Sequence, residues 1–208
     1  MDKKNPTLFQ MIAVLMAIAL ICAAAVSLVY KATKPVIEQS QLNKKIQTVS
    51  KIVPEFDNSP VEESFYVKTA NGKDSLQFYP AKKAGELVGM GVSTFSEKGY
   101  GGRIDILVGF KPDGTIYNTE VVKLNETPGL GDKSDKAKSN WAEQFNDKNP
   151  QTFKLLVKKD GGDVDAISAA TITSRAYTEA ISTAYNTFMS HTNGTKPEGT
   201  SGATIKNN

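Results

Sequence analysis

An uninterrupted apolar segment near the N-terminus constrains the fold of this chain more than any other feature. The 23 residues of "LFQMIAVLMAIALICAAAVSLVY", Leu8–Tyr30, include no charged side chain. As an α-helix rising about 1.5 Å per residue, the segment is roughly 34 Å long, enough to cross a hydrocarbon core of about 30 Å. The sequence therefore predicts a single membrane-spanning helix over residues 8–30, preceded by a short N-terminal segment, residues 1–7.

A cleaved signal peptide is the competing interpretation of this segment, because Ala23 and Ala25 form an Ala-x-Ala pattern. The apolar run is longer than the usual signal-peptide core of about 7–15 residues, which favours a retained anchor. Cys22, the single cysteine, lacks the small residues expected ahead of a lipid-modified cysteine. It is interpreted as a packing residue, and one cysteine excludes an intrachain disulfide or an all-protein iron–sulfur cluster.

The charge pattern leaves the orientation in the membrane open and narrows the classes of function. Two lysines precede the apolar segment and four follow it up to residue 45, so the positive-inside rule does not favour export. Long C-terminal domains, however, translocate largely regardless of such charges. Only Arg103 and Arg175 are arginines among 25 basic residues, which disfavours nucleic-acid binding. His191 is the only histidine, so no metal site is predicted.

The rest of the chain predicts an α+β domain with a mainly antiparallel sheet and flanking helices. Residues 31–54 have apolar side chains at helical spacing between Pro35 and Pro54, which predicts a juxtamembrane helix or linker. Its apolar face suits packing on the domain or on a partner protein. The domain itself is assigned to residues 55–190, and the polar residues 191–208, which lack periodicity, are predicted to be a disordered tail.

Local patterns predict the elements of this domain. Alternating apolar residues over 104–110 and a second β-prone run over 116–124 flank a four-residue turn, which predicts a β-hairpin. Trp141 and Phe145 lie four residues apart in a predicted short helix, where their rings suit the core. The last helix is predicted from about Ser174 to Met189, because small and apolar residues recur along one side.

A small-residue motif, "SAATIT", precedes this last helix and ends in Thr173. A helix N-terminus presents unpaired N–H groups and favours a phosphate, but Ser and Thr also cap helices without binding anything. A second copy, "SGATIK", lies in the polar tail and has Lys206 in place of the final hydroxyl. From the residues alone, a phosphate site and a plain helix cap both remain open.

Four motifs in a fixed order resemble a known family. These are "GYGGRIDILVGF" (Gly99–Phe110), "ETPGLG" (Glu126–Gly131), Trp141 and "DAISAATITSRA" (Asp165–Ala176). Together with the N-terminal span, they resemble the FMN-binding domain of RnfG, a component of the Rnf electron transport complex that is related to the NqrC component of the sodium-translocating NADH:quinone reductase. In that family the pattern is Asp-x-x-Ser/Thr-Gly-Ala-Thr-x-Ser/Thr. A separate Mg-dependent flavin transferase, which uses FAD, esterifies the last hydroxyl with the FMN phosphate.

The resemblance implies a covalent FMN on Thr173, held as a phosphoester. The transferase needs an accessible acceptor hydroxyl, so we expect this side chain to be exposed. Ala169 departs from the family's glycine, and if that position has a positive φ, its methyl group costs about 1 kcal/mol. The other residues of the motif that the resemblance assigns to the cofactor site are Asp165, Ser168, Ala170 and Thr171.

A second wall of the flavin site is implied at the "ETPGLG" segment. Without the resemblance, this segment is typical of an ordinary surface turn. With it, the flavin contacts are assigned to Glu126, Thr127, Gly129, Leu130 and Gly131, and to Gly101 and Gly102.

The implied function is that of a redox subunit of an ion-translocating Rnf complex, with little catalysis of its own. Such a complex couples electron transfer between ferredoxin and NAD to the movement of Na⁺ or H⁺. The implied partners are other membrane, iron–sulfur and flavin subunits, and the flavin transferase during maturation. The family's topology places the domain on the periplasmic side of the bacterial inner membrane. Two alternatives stay open: the NqrC component of a quinone reductase or another extracytoplasmic flavin relay, and a tethered binding module without a cofactor.

Overall fold

The computed structural model describes residues 8–70 and 72–192, which fall into two units, one up to Lys44 and one from Lys45 onward. In chain order the elements are helix α1 (Leu8–Ile52), strands β1 (Phe65–Lys68), β2 (Ser75–Lys83), β3 (Glu86–Gly99), β4 (Gly102–Phe110) and β5 (Ile116–Lys123), three 3₁₀ helices (Gly131–Ser134, Trp141–Phe145 and Lys158–Asp160), and helix α2 (Thr171–Thr192). The N-terminal segment 1–7 and the second motif copy lie outside the described residues.

Helix α1 is continuous, whereas the sequence predicted a new helix at Pro35. A proline removes one backbone hydrogen bond without forcing a helix to end, and here the helix continues through it. The helix ends two residues before Pro54, as expected from the restriction that a proline imposes on the preceding residue. Within the described residues, α1 is the one helix long and apolar enough to cross a membrane.

The sheet is an antiparallel meander in the order β1-β2-β3-β4-β5. The predicted hairpin is β4 and β5, closed by a turn in which the Gly114 N–H donates to the Lys111 carbonyl at 2.9 Å. Gly114 has a φ of 85°, a value that glycine adopts without strain. Five antiparallel strands with helices confirm the predicted α+β class.

The sheet positions α2 on one face and the last turn of α1 on the other. One face carries the inward side chains of β4, such as Ile106 and Phe110, which pack against α2 at Tyr177 and Phe188. The opposite face contacts the end of α1, where Val49, Ile52 and Val53 are buried with Tyr79, Ala81 and Leu107. Helix α2 is therefore packed on the sheet through a long buried stripe, which holds its N-terminus in a defined place.

Two helical predictions need correction. The segment Trp141–Phe145 is a 3₁₀ helix of five residues, and its two rings pack edge-to-face at 5.4 Å between centroids. Helix α2 begins at Thr171, three residues before the predicted start, and it extends through Thr192 into the predicted tail. Small and β-branched residues with no acidic group obscured the start. Thr173 consequently lies inside the first turn of α2 rather than ahead of it.

Candidate functional site

A cleft of about 460 Å³ lies where the loop after β5 meets the start of α2. Its volume falls within the range of small-molecule sites in proteins. The cleft joins three segments that are far apart in the sequence, and its lining residues are Tyr100, Glu126, Thr127, Leu130, Gly131, Ala169, Ala170, Thr171, Ile172 and Thr173. Most of the residues assigned to the cofactor site by the sequence are thus brought together here.

The N-terminus of α2 forms one wall of the cleft and is tied down by Ser174. The Ser174 hydroxyl accepts a hydrogen bond from the Ile167 N–H at 2.9 Å and donates one to the Ala170 carbonyl at 3.0 Å. The first N–H groups of an α-helix have no intrahelical acceptor, and they carry the positive end of the helix dipole. Because the first turn of α2 also has no acidic residue, this end favours an anion.

Thr173 lies at the base of the cleft and has an unusual hydroxyl. Its side chain is 1% exposed, and its Oγ1 has no hydrogen-bond partner. Other buried threonines of α2 donate to the carbonyl four residues earlier, as Thr178 does to Ser174 at 2.9 Å and Thr187 to Thr183 at 2.7 Å. Leaving a buried hydroxyl unpaired costs about 1–3 kcal/mol. The expectation of an exposed acceptor is therefore wrong in this structure, although Thr173 is one of the residues that line the cleft.

Gly131 covers this hydroxyl. A Cβ on Gly131 would lie 2.7 Å from the Thr173 Oγ1 and 2.6 Å from the Glu126 Oε2, so a side chain there would force both groups to move. Gly129 serves a different purpose, because its φ of 77° closes the turn in which the Leu130 N–H donates to the Thr127 carbonyl. Gly129 does not line the cleft, whereas Gly131 permits the loop to touch α2.

Neither Gly101 nor Gly102 lines the cleft, and Gly101 supports the loop. A Cβ on Gly101 would lie 1.7 Å from the Asn125 carbonyl oxygen, so the two backbones pack directly on each other. The Gly101 N–H also donates to the Glu126 Oε1 at 3.3 Å. Gly102, the first residue of β4, has a φ of 98°. Gly101 therefore helps to fix the position of Glu126.

Asp165 and Ser168 also lie outside the cleft lining. The Asp165 carboxylate pairs with Lys158 at 2.7 Å, and both side chains are exposed. Its backbone is held from the other side, since the Trp141 Nε1 donates to its carbonyl at 2.6 Å and its N–H donates to the Gln144 Oε1 at 2.8 Å. Asp165 thus orders the loop that leads into α2. Ser168 is exposed on this loop.

Ala169 adopts the left-handed conformation, with a φ of 59°. The family pattern has glycine at this position. In this conformation a residue with a Cβ is less stable than glycine by roughly 1–2 kcal/mol. The side chain is exposed and lines the cleft.

Three exposed apolar side chains surround the opening of the cleft: Tyr100 is 72% exposed, Ile172 48% and Leu130 39%. Such a rim suits a flat, largely apolar ring system, while the buried hydroxyl and the helix N-terminus suit a phosphate. The residues therefore fit FMN. Sequence reasoning assigned neither Tyr100 nor Ile172 to the site. Ile172 could have been found, because it is the large apolar side chain inside the motif assigned to the cofactor.

A larger cavity of about 560 Å³ lies on the other side of Ile172, against Leu155, Leu156 and the outer face of α2. Its charged groups pair with each other: Arg175 holds Asp160 through two bonds of 2.7 Å and lowers the pKa of that carboxyl. We assign the site to the smaller cleft, because an unpaired buried hydroxyl indicates a missing partner and self-paired surface charges do not.

Comparisons with known proteins identify the family of the chain. The model of the FMN-binding domain family matches residues 99–186, and the model of the RnfG N-terminal region matches residues 13–52. Three similar proteins are each named as the G subunit of an ion-translocating oxidoreductase complex. The protein of Shewanella amazonensis is 40% identical over 79% of this chain and 80% of its own length. Those of Erwinia tasmaniensis and Haemophilus influenzae are 36% and 34% identical, over 78% and 76% of this chain and 81% and 79% of their own lengths. The chain therefore belongs to the RnfG family, the G subunits of ion-translocating oxidoreductase complexes, and contains the FMN-binding domain of that family.

Proposed function

We propose that this chain carries electrons on an FMN attached through a phosphoester to Thr173. The observation that carries the proposal is the buried, unpartnered hydroxyl of Thr173 in the first turn of α2. An ester at this oxygen replaces the unpaired hydroxyl and holds the phosphate at the N–H groups of the helix start. When bound, the flavin supplies the redox chemistry, and the protein supplies its position and surroundings.

The residues of the cleft divide into two groups in this proposal. The hydroxyl of Thr171 and the helix N–H groups would hold the phosphate end, and Tyr100, Leu130 and Ile172, which line the cleft, would contact the ring system. Gly131 allows the loop to close on α2, and Asp165 orders the segment ahead of the helix. We assign no separate catalytic residue, because the redox reaction belongs to the cofactor.

In the cell, we propose that the chain is a single-pass subunit of an Rnf-type complex in the bacterial inner membrane. Residues 8–30 span the membrane, residues 31–54 link the span to the domain, and the domain at 55–190 faces the periplasm. The complex couples electron transfer between ferredoxin and NAD to the movement of Na⁺ or H⁺, together with other membrane, iron–sulfur and flavin subunits. The names of the similar proteins support membership of an ion-translocating oxidoreductase complex.

The NqrC component of a quinone reductase, or another extracytoplasmic flavin relay, shares the flavin and differs in its partners. Purification of the membrane complex and identification of its subunits by mass spectrometry distinguishes these assignments. The other alternative, a tethered binding module without a cofactor, predicts that no flavin is attached, so detection of covalent flavin on the chain excludes it.

The test of attachment is coexpression of the full chain with a flavin transferase, followed by fluorescence of the denatured band and intact-mass analysis. We expect the mass of one FMN on the wild type and none on Thr173→Ala. Thr187→Ala is the matched control, since Thr187 is equally buried in α2 but donates to a backbone carbonyl. It should keep the flavin. Covalent flavin on Thr173→Ala would contradict the proposal.

A further inference from the structure

We propose that Glu126 accepts the proton that the Thr173 hydroxyl loses when the phosphoester forms. This inference rests on the attachment proposed above and assigns a chemical role to a residue of this chain in its own modification. It follows from the position of one carboxylate oxygen, the way that this carboxylate is held, and the lack of competing proton acceptors along the described lining of the cleft.

The carboxylate of Glu126 and the hydroxyl of Thr173 meet at Gly131. The same point, an ideal Cβ on Gly131, lies 2.6 Å from the Glu126 Oε2 and 2.7 Å from the Thr173 Oγ1. The separation of the two oxygens therefore cannot exceed the sum of these distances. They are not hydrogen-bonded in the resting structure, because the Thr173 Oγ1 has no partner. A small rotation of the glutamate side chain, or one bridging water, connects them.

A hydrogen bond and close packing also fix the orientation of the Glu126 carboxylate. Its other oxygen, Oε1, accepts the Gly101 N–H at 3.3 Å and lies 2.7 Å from where a Cβ on Gly99 would be. Gly99 and Gly131 thus leave a slot that a side chain at either position would fill. With Oε1 engaged on the far side, Oε2 is the oxygen that lies toward Thr173.

Formation of the phosphoester requires a proton acceptor near the Thr173 hydroxyl. A hydroxyl is a weak nucleophile until an adjacent base removes its proton. Among the described residues that line the cleft, Glu126 is the one carboxylate, and the lining includes no histidine or lysine. Asp132, next to Gly131, has a buried Oδ1 without a hydrogen-bond partner but does not line the cleft. Asp132 is therefore the control residue, a nearby carboxylate that is not expected to accept the Thr173 proton.

The proposed step balances as a group transfer without redox change. The Thr173 oxygen forms a bond to the phosphorus of the FMN half of a flavin dinucleotide. The phosphoanhydride bond to the AMP half breaks, and AMP leaves with the bonding electron pair. The hydroxyl proton passes to the Glu126 carboxylate and then to water.

The experiment measures the initial rate of flavin attachment to the full-length chain, with purified transferase, FAD and Mg²⁺ at saturating concentrations. We expect Glu126→Gln, which keeps the shape but cannot accept the proton, to lower the maximal rate about 10²-fold while the KM for FAD is unchanged. Glu126→Asp should retain an intermediate rate. Asp132→Asn should attach flavin at the wild-type rate. The melting temperature of each variant is measured in parallel.

A second readout separates proton transfer from a structural role. Formate should raise the rate of Glu126→Ala in proportion to its concentration and leave that of the wild type unchanged. If Glu126→Gln does not fold, the comparison of Glu126→Ala with and without formate decides the question alone. A Glu126→Gln rate within twofold of the wild type, or a Glu126→Ala variant that formate does not rescue, would overturn the inference. In either case, flavin found on Thr173 of the wild type would leave the proposed function intact.

Discussion

Replacement of Ala169 by glycine should stabilise the domain, although it removes a methyl group. Ala169 has a φ of 59°, and its side chain is exposed, so the substitution relieves backbone strain without opening a cavity. The left-handed conformation costs a non-glycine residue roughly 1–2 kcal/mol. Glycine also has more conformational freedom than alanine in the unfolded chain, which reduces the gain in stability by about 0.4–1 kcal/mol. The free energy of unfolding should therefore rise by about 0.8 kcal/mol, the difference between the midpoints of these two ranges.

The assay is denaturant unfolding of the full chain in detergent, followed by tryptophan fluorescence. Trp141 is the only tryptophan, and its ring packs on Phe145 and Tyr177 in the domain core, so its emission reports on unfolding of the domain. A gain of this size corresponds to a rise in melting temperature of about 1–4 °C for a domain of this length.

Ala166→Gly is the matched control. Ala166 is exposed in the same loop but is not among the described residues with a positive φ, so glycine there should destabilise by about 0.4–1 kcal/mol. If Ala169→Gly were as destabilising as Ala166→Gly, the strain assigned to Ala169 would be refuted. The substitution should leave the Thr173 hydroxyl available, so flavin attachment should persist.

Gly131→Ala should lower the free energy of unfolding by about 1–3 kcal/mol and reduce flavin attachment, because the new methyl group overlaps the Thr173 Oγ1; denaturant unfolding and gel fluorescence measure the two effects. Burial raises the pKa of Tyr79 to about 12 and also raises that of Tyr177. Both contribute stability that is complete below about pH 10 and is lost as the pH rises from about 10 to 12, since the unfolded phenols ionise first; unfolding curves across this range should show the loss. Asn186→Cys, at an exposed site of α2, should react with a membrane-impermeant thiol reagent once the outer membrane is permeabilised; protection until inner-membrane lysis would contradict a periplasmic domain.

Patterns with a clear period predicted the parts of the fold that the structure confirms. The apolar stretch of α1 and the β4–β5 hairpin each repeat one signal over many residues, so local sequence is sufficient. The start of α2 was missed, because its first turn, with Thr171 and Thr173, has the composition of a loop or cap. Its helical state is imposed by tertiary packing of the residues that follow.

The sequence predicted two of the segments that line the candidate cleft, but not the role of each residue in the motifs. The family pattern led to Thr173 and to the loop at 126–131, and both line the cleft. It also grouped Asp165, Gly101 and Gly102 with the cofactor, whereas none of the three lines the cleft, and Asp165 and Gly101 hold the loops through hydrogen bonds. A motif records which residues recur together and cannot separate a residue that lines a site from one that supports it.

The burial of Thr173 follows from helix geometry once the true start of α2 is known. Residues three and four positions apart lie on one face of a helix, so Thr173 shares its face with Ala176 and Tyr177, both fully buried. The proposed acceptor is therefore the first position of the core stripe, occupied by a hydroxyl instead of an apolar group. Gly131 closes over it because no other residue fits there. The proposed attachment site and the packing of the domain consequently depend on the same contact, which is why Gly131→Ala is expected to affect both.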